Sequence, residues 1–103
     1  MGSGVAIDIP ASTLAEFCER HHIQRLSFFG SVVRDDFGPE SDIDVLVEFD
    51  PAHIPGLIAL AGLELELEQI LNRPVDLLTP GFFRPSIRQA VLDESVVQYE
   101  QSR

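Results

Sequence analysis

Lysine is absent from this chain. All seven basic residues are arginine, against seventeen Asp and Glu, which leaves a formal net charge of -10 at pH 7. A broad nucleic-acid or anionic-membrane surface needs clustered cations to displace counterions, so neither partner is expected. Cysteine occurs once, at Cys18, which excludes an intramolecular disulfide and any cysteine-built zinc site. Of the three histidines, His21 and His22 are adjacent and His53 is distant, a spacing that matches no zinc motif. No apolar run approaches the roughly 18–20 residues a membrane span requires. The N-terminus lacks the basic, apolar, small-residue pattern of a secretory signal, and Ala6 stands where a myristoylation signal needs Ser or Thr. The expectation is a soluble, cytoplasmic protein. Met1 to Gly4 has the look of a cloning scar and is set aside.

What remains is an ordinary globular balance, with 45% hydrophobic and 23% charged residues over 103 positions. That length suits one small domain, residues 1–103, without repeats or linkers. Thr13, with Glu16 three residues on, fits a capping box that opens a helix whose apolar face is Leu14, Phe17, Cys18 and His21. Ile23 to Phe29 reads as a strand ended by Gly30-Ser31, followed by a short helical turn over Ser31 to Asp35 and a loop to Ser41. Ile43 to Phe49 is the clearest strand, its apolar residues alternating with Asp42, Asp44, Leu46 and Glu48. Leu57 to Asn72 alternates Leu and Glu in its middle like a strand. Its Leu, Glu, Ala and Gln content favours a helix. Val75 to Leu78 is a third strand, and Pro85 opens a last helix to about Asp93, with Ile87, Val91 and Leu92 turned inward. Val96, Val97 and Tyr99 form an apolar tail without a clear pattern. The expected class is α+β (mixed α/β): a small mixed sheet of three to four strands flanked by helices.

The chemistry concentrates between Phe29 and Val47. Asp42 and Asp44 are two apart at a strand start, so alternation sends both carboxylates to one face, about 6–7 Å apart at Cα. Carboxylates that close repel unless a cation lies between them. A hard divalent ion such as Mg²⁺ resolves this, since it takes one or two carboxylates plus phosphate oxygens. Gly30 lets another group approach the backbone. The amides after it, with the Ser31 hydroxyl, can bind phosphate at a helix N-terminus, and Arg34 lies one helical turn on. Asp76 sits within an apolar strand and either faces solvent or joins Asp42 and Asp44 in a three-carboxylate metal site, should the strands be neighbours.

Gly30-Ser31, ten intervening residues, then Asp42-x-Asp44 resembles the signature of the DNA polymerase β-type nucleotidyltransferase superfamily. The short chain is similar to its minimal nucleotidyltransferase (MNT) branch. That resemblance implies two Mg²⁺ ions on Asp42 and Asp44, with Asp76 as third metal ligand and proton acceptor. It also implies a triphosphate held by Gly30 and Ser31, with Arg34 as a basic residue near the signature. Many minimal members resemble antitoxins that transfer AMP from ATP to a tyrosine of a HEPN-domain toxin, which makes such a toxin the expected partner and leaves room for homo- or hetero-oligomers. Two other readings compete: a non-catalytic toxin-binding or scaffold module, and an antibiotic (aminoglycoside) nucleotidyltransferase. Ordinary readings also stand beside the sharper ones. Glu64, Glu66 and Glu68 read as a solvated helix face, Cys18 as a core thiol, and His21 and His22 as helix-end residues. Phe82 and Phe83 either cap the core or meet a partner.

Overall fold

The computed structural model describes residues 10–30 and 42–101. Helix α1 (Ala11–Arg20) places Leu14, Phe17 and Cys18 in the core, as their i, i+3, i+4 spacing requires. It starts earlier than a capping box at Thr13 predicts. Pro10 takes the N-cap position, its carbonyl accepting the Leu14 N–H at 2.9 Å, and no side chain caps the helix. A proline suits the start of a helix, because its φ is fixed and it has no N–H to satisfy. Thr13 is therefore an exposed residue inside the first turn.

His21 ends α1, and His22, at φ 60°, turns the chain into β1 (Ile23–Phe29). Strand β2 (Ile43–Phe49) runs antiparallel to β1, with Leu26 opposite Val47 and Phe28 opposite Val45. Helix α2 (Leu57–Leu71) stops at Asn72, which adopts the left-handed conformation that often ends a helix. The chain then returns as β3 (Val75–Leu78), parallel to β2. Helix α3 (Pro85–Glu94) leads into β4 (Val96–Glu100), which pairs antiparallel with the free side of β1. The sheet order is β3-β2-β1-β4. The apolar tail is thus a strand: Val96, Val97 and Tyr99 are residue types that suit a pleated, half-buried surface.

One sheet face is dry. Ile23, Leu26, Phe28, Ile43, Val45, Val47, Val75 and Leu77 pack against Leu14, Phe17 and Cys18 of α1 and Leu63, Leu67 and Leu71 of α2. Helix α3 contributes nothing comparable. None of its residues is buried, and Ile87, expected inward, is 48% exposed. With α1 and α2 already covering the core, its inward residues Val91 and Leu92 reach only partial burial.

The Leu-Glu alternation of α2 is resolved by β3. Strand β3 lies at the sheet edge, so the N–H groups of Val75 and Leu77 face away from β2. Glu68 accepts the Val75 N–H at 3.0 Å, and Glu64 accepts the Leu77 N–H at 2.8 Å. Four helical residues rise about 6 Å and two strand residues about 6.6 Å, so the two ladders match. Glu66 points elsewhere, to Arg20 at 2.7 Å and His21 at 3.1 Å. These glutamates are consequently not a solvated face: each is half-buried and hydrogen-bonded.

Candidate active site

The other sheet face carries the acidic residues. Burial alternates along β2, with Ile43, Val45 and Val47 in the core, so Asp44 projects from the opposite side. Asp42, two residues earlier and exposed, follows it. The parallel register sets Asp76 directly beside Asp44. Cross-strand neighbours share a face, so Asp76, also exposed, stands on the same side as the other two.

Gly30 follows β1 with φ 76°, a left-handed conformation that suits glycine. The Asp44 carboxylate lies over its Cα. A methyl group there would overlap Asp44 Oδ2 and sit 3.1 Å from Cγ and 3.4 Å from Cβ. Both conformation and space thus demand glycine at position 30. The antiparallel register explains the approach, since Phe29 is the partner of Asp44. Ser31 and Arg34, the other predicted phosphate-binding residues, lie outside the described residues, as do the predicted turn and loop around them.

Among the described residues, no group of three or more His, Cys, Asp or Glu is gathered closely enough to hold a metal ion by itself. The donor set still suits Mg²⁺: these are hard oxygen ligands on one face, and Mg²⁺ normally completes its shell with water and phosphate oxygens. Asp42, Asp44 and Asp76 fit an ion delivered with a nucleotide better than a preformed cage.

Sequence reasoning left the walls of this face open. Phe83 meets Phe29 edge to face, with ring centroids 5.9 Å apart at 80°. The Pro80–Phe82 3-10 turn also packs against β2. Phe82, by contrast, is 57% exposed. The signal available in the sequence was the Pro80-Gly81-Phe82-Phe83 turn soon after Asp76, but nothing in its pattern says which ring turns inward.

The histidines gather at the other end of the strands. His22 stacks on His53 with centroids 3.8 Å apart at 9°, and Asp50 lies 3.6 Å from His53 Nδ1. The Ala52 N–H, bonded to Asp50 at 3.0 Å, and then the nearby His53, hold the Asp50 carboxyl below its ordinary range. His21 and His22 are helix-end residues, as their position implies. Cys18 is a core thiol, pushed up to about 12 by burial and then by Glu19. A further consequence of the core appears at Tyr99, whose hydroxyl is raised by burial first.

Comparison with known proteins agrees with this geometry. Residues 11–97 match the nucleotidyltransferase domain family. A Methanocaldococcus jannaschii protein provisionally named a protein adenylyltransferase is 39% identical over 75% of this chain and 81% of its own length. The protein adenylyltransferase MntA of Thermococcus cleftensis is 37% identical over 79% of this chain and 80% of its own. Among solved structures, one provisionally named a minimal nucleotidyltransferase superposes with a TM-score of 0.70 at 34% identity, covering 84% of this chain and 86% of that one. A toxin–antitoxin complex with AMP-PNP shares the fold, with a TM-score of 0.73 at 21% identity over 91% of this chain and 76% of that one. The α+β arrangement, the glycine under an aspartate and these matches lead to one conclusion: the chain is a nucleotidyltransferase, belonging to the nucleotidyltransferase domain family in its minimal form.

Proposed function

We propose that this chain transfers AMP from ATP to a tyrosine hydroxyl of a HEPN-domain toxin and acts as that toxin's antitoxin. The observation that carries the reading is that Asp44 lies over Gly30 with Asp76 beside it on the next strand, in a chain whose relatives at 37% and 39% identity are named for protein adenylylation. Those names favour a protein acceptor over an aminoglycoside. The net charge of -10 disfavours a nucleic-acid acceptor.

In this reading Asp42 and Asp44, with Asp76 beside them, hold Mg²⁺, two ions in the form the family resemblance implies. Bound Mg²⁺ supplies the positive charge that lets so acidic a face accept a triphosphate. Gly30 leaves room for the Asp44 carboxylate to lie over the backbone beside the triphosphate seat, Ser31 adds hydrogen bonds, and Arg34 adds a planar cation suited to phosphate. The tyrosine oxygen forms a bond to the α-phosphorus as the bond from that phosphorus to the bridging oxygen breaks. Pyrophosphate leaves with that bonding pair, and the Asp76 carboxylate accepts the phenolic proton. Most of the catalytic effect comes from holding these groups in line.

The test is incubation with ATP labelled at the α-phosphate, Mg²⁺ and a HEPN-domain toxin from the same genome. Label should pass to the toxin and be lost in Asp44→Ala. Silencing of the toxin without label, unchanged in Asp44→Ala, would instead mark a binding module.

A further inference from the structure

We propose that Arg88 is a positioning residue of the nucleotide seat. Its guanidinium locks the turn after β3 so that Phe83 holds Phe29, and through it Gly30, beside Asp44. The inference rests on the nucleotidyl-transfer reading and deepens it.

Helix α3 buries no side chain, so apolar packing alone does not fix its start against the sheet. Two hydrogen bonds tie it to the turn after β3. Arg88 Nε donates to the Pro80 carbonyl at 3.0 Å, and Nη2 donates to the Phe83 carbonyl at 2.9 Å. One planar, rigid fork thus spans both ends of the turn. The turn's backbone bonds agree with it: the Phe82 N–H meets the Thr79 carbonyl at 3.0 Å, and the Phe83 N–H meets the Pro80 carbonyl at 3.1 Å. Phe83, at the end of the clamped turn, places its ring against Phe29.

Phe29 matters because Gly30 is its neighbour in the chain. Gly30 has no side chain by which the protein can hold it, and it carries the Asp44 carboxylate over its Cα. Among the described residues, its position is set through Phe29. That residue is held by its register with Asp44 on one side and by the Phe83 ring on the other. A seat that depends on backbone placement is sensitive to small displacements, since about 1 Å can cost a hundredfold in rate. Releasing the turn would free Phe83, loosen Phe29 and blur the gap between Gly30 and Asp44.

The experiment measures the affinity of the full chain for AMP-PNP with Mg²⁺ by calorimetry. The variants are Arg88→Ala, Arg88→Lys, Phe83→Ala and the double variant Arg88→Ala with Phe83→Ala. Folding is checked for each by circular dichroism. Arg88→Ala and Phe83→Ala should each weaken binding about five- to tenfold, within the range of coupled positioning effects. The double variant should be no weaker than either alone, because both act through one ring. Arg88→Lys, which presents a point charge rather than a fork, should fall between wild type and Arg88→Ala. It also serves as the readout if Arg88→Ala does not fold. Unchanged affinity in folded variants, with only the melting temperature lowered, would overturn the proposal, as would losses that multiply in the double variant. Failure of the wild-type chain to bind AMP-PNP would instead overturn the nucleotidyl-transfer reading itself, before any variant is compared.

Discussion

Gly30 carries the most constraint in the described chain. A side chain there meets two penalties: the left-handed conformation, about 1–2 kcal/mol for an L-residue, and overlap with Asp44. Gly30→Ala should therefore lower unfolding free energy by about that amount or more in a urea titration, and it should displace the Asp44 carboxylate. Nucleotide transfer should fall much further than stability does. The glycine after β1 and the placement of Asp42 and Asp44 on one side of β2 were legible in sequence, because Gly30 closes an apolar run and strand side chains alternate. The contact of Asp44 with Gly30 was not, since it depends on a strand register that periodicity alone leaves open. Cys18 gives a second prediction at this scale. Its thiol titrates near 9.0 when free and about 12 in the folded chain. The folded state therefore keeps a proton that the unfolded state loses, and stability should be unaffected below about pH 9 and decline from there towards pH 12. Alkylation at pH 8 should proceed only as fast as the chain opens. Rapid labelling of native protein would contradict the burial.

Elements show where pattern reading falls short. Composition favoured a helix over Leu57 to Asn72, but the Leu-Glu alternation left its core face open; Leu63, Leu67 and Leu71 prove to line the core, and Glu64 and Glu68 could be assigned only once β3 was known to be an edge. An edge strand with unpaired N–H groups invites pairing with another chain, and these two carboxylates answer that hazard. Hydrogen bonds to charged groups are worth about 1.5–3 kcal/mol, so Glu64→Ala should destabilise by about that much and increase light scattering on heating. Glu64→Gln, which keeps an acceptor, should lose less. Glu66 is a smaller effect. Its carboxyl is lowered first by the Arg20 hydrogen bond and also by His21, but both members of the Arg20 pair are substantially exposed. Glu66→Gln should cost under about 1 kcal/mol at neutral pH. Because the folded carboxyl is the more acidic form, that difference should be present above the ordinary glutamate range and vanish as pH falls through the folded value. At the two ends of the chain, sequence pattern misplaced the start of α1 and overstated the burial of α3. Both errors share a cause: helix ends and marginal helices are set by partners such as Pro10 and Arg88 rather than by periodicity.

At the scale of the whole molecule, charge and site are coupled. The chain has a net charge of -10 and sets Asp42, Asp44 and Asp76 on one sheet face, so in the proposed reading a cation arriving with the nucleotide would offset negative charge there. Mg²⁺-ATP should consequently raise the melting temperature. Saturation at a hundredfold excess over Kd corresponds to about 2.7 kcal/mol. Removing Mg²⁺ with EDTA should abolish the shift, and Asp42→Asn should raise stability in the absence of metal. A small sheet covered by helices followed from element order alone. The antiparallel and parallel pairings that bring the acids together did not, because strand direction leaves no mark on composition.

The most direct test of the proposed nucleotidyl transfer by this chain is mass spectrometry of a HEPN-domain toxin, the proposed acceptor, after incubation with ATP and Mg²⁺. Whole AMP adducts on a tyrosine of the toxin are expected, present with wild-type chain and missing with Asp44→Ala. A toxin that is silenced yet recovered with unchanged mass would contradict transfer.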